Sequence, residues 1–283
     1  MDRERFFAAL RRKGSGVFGT SLSQGQVDGI AGVLDAFAEV GDGQRDTLAY
    51  ALGTAYHETG RKMVPVREGF AKSDEGARRA VRNLALKRGP KSAVARYAQP
   101  TGPHGHVYYG RGHVQLTWLE NYAASSKDAG TDLVANPDAM LDPRISARVL
   151  IKGLMDGRWN GKGKGIRHYA EADGDPDMDQ DDLVQARRTV NVQDKAAEIA
   201  GYAKAFEAAL IDAGMPDRVA AKAETRQPNV TPIRPTIAPP PPAPSAPHDP
   251  PKFGTGQIIA VAVAGLLLAA SQAWEAIRAA LGF

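Results

Sequence analysis

The sequence predicts a helix-dominated body, and three observations carry that prediction. Apolar residues recur at i, i+3, i+4 and i+7 in several stretches; no run alternates polar and apolar residues long enough to make a strand; no internal repeat is present. The 283 residues include no cysteine. That excludes disulfides, thiolate metal sites and a Cys nucleophile, so packing alone must hold the fold. Hydrophobic residues make up 43% and charged residues 24%, enough apolar material for a core and too much for a wholly disordered chain. Lys and Arg outnumber Asp and Glu by 36 to 32, an excess too small to argue for a nucleic-acid partner.

Taken in order, the first ten residues hold only a short apolar run before Arg11, too short for an export signal. Ser23 and Gln26 have capping-box spacing ahead of Val27, Ile30, Ala31, Leu34 and Phe37, which share one helical face. A second helix starts near Arg45, with Leu48, Leu52, Ala55 and Thr59 on one face and Gly60 as its stop. Another runs from about Lys195 to Ala213, striped by Ile199, Tyr202, Ala203, Phe206 and Leu210. The body is therefore expected over residues 1–215. Residues 216–252 are rich in proline, including Pro239 to Pro242, and read as an extended spacer rather than a ligand for a proline-recognition domain. Residues 253–283 read as a membrane-spanning or membrane-inserting segment, because Phe253 to Trp274 is free of charge; the rival reading is a buried helix.

Two regions of the body bear candidate chemistry. Glu58, on the flank that also holds Ala51, Thr54 and Ala55, is expected to be partly shielded, which suits a general acid. Glu68 lies ten residues on, and a chain that turns after Gly60 brings it back towards Glu58. Paired carboxylates about 6.5 to 9.5 Å apart are what inverting glycoside hydrolysis needs. From spacing alone, two glutamates ten residues apart are more often two surface residues. The second region, Tyr108 to Tyr122, combines four aromatics, a Gly-Arg-Gly turn and the amides of Gln115 and Asn121. Such a mixture reads as a sugar-binding surface, with core packing as the alternative for Trp118 and Tyr122.

These residues together resemble glycoside hydrolase family 19, which contains chitinases and the lysozyme-like endolysins of phages. The resemblance is carried by His57-Glu58-Thr59-Gly60, Pro65-Val66-Arg67-Glu68, Tyr109-Gly110-Arg111-Gly112-His113-Val114-Gln115-Leu116-Thr117-Trp118 with Asn121-Tyr122, Asn136-Pro137, Met155 to Gly161, and Ala186 to Asn191. It implies a mainly α, lysozyme-like domain of two lobes around a substrate groove. It also implies Glu58 as general acid, Glu68 as general base and Thr117 as the hydroxyl that helps place the attacking water. Tyr109, Gln115, Trp118 and Asn121 are implied as groove residues, His57 as an orienting partner of the acid, and Asn191 with Arg187 or Arg188 as a late motif near the site. The lack of cysteines and the short interval between the two glutamates resemble the bacterial and phage branch.

The resemblance leads to an expected endolysin-type hydrolase of peptidoglycan β-1,4 bonds, with a chitinase as one alternative and a non-hydrolytic wall-binding module as another. No metal or cofactor is expected. The expected partners are a peptidoglycan or chitin-type polysaccharide, a membrane through the C-terminal segment, and a holin as one route to the wall. His57-Glu58 is not a zinc-protease motif, because Arg61 stands where the second His would be. The aspartates from Asp173 to Asp182 read as a solvated loop rather than a calcium site, with Met178 where that loop needs glycine. His104, His106 and His113 lack a carboxylate signature for metal. The basic run from Arg78 to Arg96 reads as a solvated helical face, with attraction to anionic wall polymers as its functional alternative.

Overall fold

The computed structural model describes residues 1–170, 178–191 and 193–218. The expected linker beyond Arg218 and the apolar segment at 253–283 lie outside the described residues, as do residues 173–177 of the aspartate-rich stretch. Among the described residues no helix is long and apolar enough to cross a membrane.

The body is mainly helical, as the periodicity predicts. Its helices are α1 (Arg3–Leu10), α2 (Gln24–Val40), α3 (Arg45–Glu58), α4 (Asp74–Arg88), α5 (Ala93–Tyr97), α6 (Leu119–Ala129), α7 (Pro143–Asp156), α8 (Arg167–Ala170), α9 (Gln180–Ala186) and α10 (Ala196–Asp212). Two short strands, β1 (Val66–Arg67) and β2 (Arg111–Gly112), pair antiparallel with Val66 opposite Gly112. The body continues past residue 215, where Arg45 N–H donates to the Asp217 carbonyl at 2.8 Å.

Local chemistry explains the boundaries. The Ser23 hydroxyl accepts from Gln26 N–H while the Gln26 amide oxygen accepts from Ser23 N–H, so the predicted capping box opens α2. Pro143 stands in the first turn of α7 behind the Asp142 cap, and Gly157 ends it at φ +65°, the expected asymmetry of helix ends. Asp179 caps α9 reciprocally with Asp182, so the described end of the aspartate-rich stretch is a helix start. No cluster of metal-ligating side chains occurs among the described residues.

α3 is the axis of the larger core. Every residue from Thr47 to His57 is buried, which is why its sequence lacks a clear polar face. Its main partner is α10, and the two backbones meet at Gly53, where a Cβ would lie 2.9 Å from the Ala203 nitrogen. α2 and α7 also pack on α3. A second, smaller core gathers Ala77, Val81, Val94, Tyr97, Ala98, Val107 and Tyr109, with Trp118 at its edge. The body therefore has two packed centres, and the segment from Thr59 to Phe70 runs from one to the other.

Candidate active site

Each candidate glutamate is seated on a different core. Glu58 is the last residue of α3, held by the most deeply buried helix of the larger core. Its side chain is 11% exposed, and Arg187 Nη1 donates to its Oε1 at 2.8 Å. Arg187 is itself buried and donates through Nε to the Asp194 carbonyl. A charge-assisted hydrogen bond from a rigidly held guanidinium fixes the carboxylate's orientation. Of the two arginines in the late motif, Arg187 makes this contact; Arg188 donates to Gln185 instead. Asn191 N–H caps the Arg187 carbonyl at 2.8 Å, so its backbone braces the arginine's turn.

Glu68 follows β1 directly and is buried against the smaller core. Tyr97 Oη donates to its Oε1 at 2.7 Å, and Gly110 N–H donates to its Oε2 at 2.8 Å. Its own N–H donates back to the Gly110 carbonyl at 2.7 Å, extending the β1–β2 pairing by one residue. Burial raises the Glu68 pKa above the ordinary carboxylate range, against the opposing effect of the Gly110 and Tyr97 hydrogen bonds and of the Arg111 and Arg88 charges. A raised carboxylate is the stronger base, which is the property the role implied by the resemblance requires.

Thr117 is buried at the end of the β2 segment, and its hydroxyl donates to the Gln115 carbonyl at 2.8 Å. A carbonyl can only accept, so the hydroxyl proton is committed and its lone pairs remain to accept from a water. Gln115 donates its amide to the carbonyls of Val66 and Gly112, and Asn121 donates to the Thr117 carbonyl. Both amides thus hold the loop's shape with their nitrogens, where the resemblance implied direct contacts to sugar. Trp118 lies edge-on to Tyr97 at 5.3 Å and is partly exposed.

Tyr109 departs from the expectation. It is fully buried, its hydroxyl donates to Asp74 at 2.8 Å, and the Arg111 guanidinium covers its ring at 3.5 Å, so the ring has no free face for a sugar. The middle residue of the Gly-Arg-Gly turn is likewise internal. Arg111 donates to the Val107 and Tyr109 carbonyls, to Tyr122 and to Asp74 and Asp138. Burial opposes the Asp138 charge, yet hydrogen bonds from Arg67 and Arg111 hold its carboxyl below the usual range. The aromatic stretch is in large part the brace behind the site.

His57 is buried beside Glu58, and desolvation lowers its pKa. A neutral imidazole fits an orienting role better than a proton carrier. His113 is also fully buried, bonded to Ser146 and to the Met63 carbonyl, and burial pushes it down to about 4, so it has no free nitrogen for metal.

Backbone strain gathers in the same loops. Among the described residues, the positive-φ residues other than glycine are Arg61, Met63, Phe70, Gln115, Trp118 and Lys195. They fall in the segments that carry Glu68, Thr117 and the Arg187 anchor. Such conformations cost on the order of 1–3 kcal/mol each and persist where the surroundings over-determine them, a pattern concentrated at functional sites. Tyr97, Arg111 and Asp138 are the structural partners that sequence reasoning did not single out.

The site residues can now be set beside known proteins. The family model described as chitinase class I, glycoside hydrolase family 19, matches residues 29–160, a span that holds Glu58, Glu68 and Thr117 but not Arg187. An endochitinase of Persea americana is 29% identical over 157 residues, which are 53% of this chain and 44% of that protein. Endochitinase 1 of Theobroma cacao is 48% identical over 48 residues, 17% of this chain and 15% of its own length. An inactive chitinase-like protein 1 of Hevea brasiliensis is 44% identical over 48 residues, again 17% and 15%. The chain thus spans less than half the length of the curated relatives it matches. A solved structure of a chitinase C mutant is a distant likeness, 19% identical at a TM-score of 0.42 over 77% of this chain and 95% of that one. The matched span encloses both glutamates, and over residues 29–160 the chain is similar to glycoside hydrolase family 19.

Proposed function

We propose that the body hydrolyses β-1,4-linked amino-sugar glycan by an inverting acid/base mechanism, with the glycan of peptidoglycan as its substrate. The observation that carries this reading is the seating of the two glutamates on separate packed centres: Glu58 held by Arg187, Glu68 buried with a raised pKa. Glu58 protonates the glycosidic oxygen as the bond to the anomeric carbon breaks. Glu68 takes a proton from a water, which attacks that carbon from the opposite face. Thr117, with lone pairs open and its proton committed, accepts from the same water and orients it. Two oppositely placed carboxyl groups with a water between them give inversion. Arg187 keeps the acid in position.

A chitinase acting on chitin is the second reading, and the printed names of the plant relatives favour it. One relative is named inactive, so a binding-only protein remains a third outcome; this chain's retention of both glutamates and of Thr117 speaks for catalysis. Mass spectrometry of purified peptidoglycan and of chitin after digestion separates the readings. We expect reducing-end muropeptides from peptidoglycan, with Glu58→Gln and Glu68→Gln each losing about 1000-fold in rate, the scale of removing an acid or base group. Products ending in anhydro-sugars, or full activity in Glu68→Gln, would reject the two-carboxylate mechanism. Products from chitin alone would transfer the assignment to chitinase.

A further inference from the structure

The segment from Lys72 to Arg96 holds eight basic residues against two acidic ones, a surplus of six where the whole chain has +4. Amphipathic packing explains half of its pattern. Ala77 and Val81 are buried and Leu84 and Ala85 partly so, which turns the opposite side of α4 to solvent. The two acids do not neutralise that side. Asp74 is committed to Arg78 at 2.7 Å and to buried Arg111 at 3.2 Å, and Glu75 pairs with Arg79 at 3.7 Å. Arg82, Lys87, Lys91 and Arg96 are exposed and make no ion pair among the described residues.

One contact joins this basic segment to the candidate active site. Arg96, on α5, lies over the Trp118 ring, its guanidinium carbon 5.3 Å from the centroid, and Trp118 directly follows Thr117. The basic segment therefore reaches the neighbour of a residue assigned to water placement. Chitin is an uncharged polymer. Peptidoglycan strands carry lactyl-linked peptides that end in free carboxylates, hanging from every second sugar.

We propose that Arg82, Lys87, Lys91 and Arg96 form a selectivity surface that receives the peptide carboxylates of a peptidoglycan strand whose sugars occupy the Glu58–Glu68 site. This rests on the hydrolase reading above and names the feature that sets its substrate class. Exposed charge pairs are individually weak, about 0.2–1 kcal/mol each, so the effect resides in the group and is screened by salt.

The test compares the full chain with the fourfold variant Arg82→Gln, Lys87→Gln, Lys91→Gln, Arg96→Gln. Both are assayed on soluble peptide-bearing glycan strands free of teichoic acid and on chitohexaose. We expect the ratio of kcat/KM for peptide-bearing strands to that for chitohexaose to fall about tenfold, through KM, with the wild-type salt dependence flattened. A charge-preserving pair, Arg82→Lys with Arg96→Lys, should keep the ratio, and circular dichroism verifies folding. An unchanged ratio overturns the proposal. So does a wild type that cleaves chitohexaose only, which leaves the hydrolase reading intact. A wild type that cleaves neither defeats that reading and this inference with it.

Discussion

The two glutamates sit in opposite kinds of surroundings. Glu58 meets a buried cation, with Arg187 as its partner, at the end of a helix buried from Thr47 to His57. Glu68 meets neutral donors, a tyrosine hydroxyl and a backbone N–H, and is buried more completely. The difference teaches how one fold can give two chemically identical side chains different properties, as the proposed division into acid and base requires. A full charge orients one of them, and desolvation raises the pKa of the other.

Removing the cation is the strongest way to break this contrast short of changing the glutamates. Arg187→Ala leaves Glu58 without its orienting donor and the Asp194 carbonyl without its own. We expect kcat/KM to fall about 100-fold, the loss typical of one well-aimed charged or polar group. Arg187→Lys should recover part of it by keeping the charge without the fork. Steady-state kinetics on soluble glycan strands measures both, and wild-type activity in Arg187→Ala would detach Arg187 from the acid's function.

A smaller perturbation sharpens the other side. The Tyr97 hydroxyl bonds the carboxylate form of Glu68 and so works against desolvation. Tyr97→Phe removes that hydrogen bond and should push the Glu68 pKa further up. A base works only when deprotonated, so the acid limb of kcat/KM moves to higher pH. On the alkaline side of that limb Glu68 is deprotonated in both proteins, so the rate should change only about threefold, about 0.65 kcal/mol of barrier. A pH–rate profile reads both quantities; a limb that stays in place would show that Glu68 is not the titrating base.

The sequence revealed the local features of this molecule best. The Ser23–Gln26 box, the start of α3 and the stripe of α10 depend on neighbours a few residues apart, and the structure agrees with each. The family motifs in order suggested Glu58 and Glu68 as a pair, and of the two arginines on offer Arg187 is the one that meets Glu58. What spacing could not show was the direction of side chains in the Tyr108–Tyr122 stretch. An aromatic face for sugar and an aromatic face for core have the same local pattern. Tyr109 was decided by a long-range event, the closing of Arg111 over its ring against Asp74, 35 residues from Tyr109 in the chain. Tyr97 was hidden for the same reason, since its hydroxyl finds Glu68 across 29 residues of sequence.

The central claim is that two carboxyl groups on separate packed centres act on opposite faces of one sugar. Its most direct test is proton NMR of the anomeric signals in the first minutes of hydrolysis of a β-1,4-linked oligosaccharide, before mutarotation mixes the products. The account predicts the α-anomer first, as a water placed by Glu68 and Thr117 demands. Initial release of the β-anomer would contradict it.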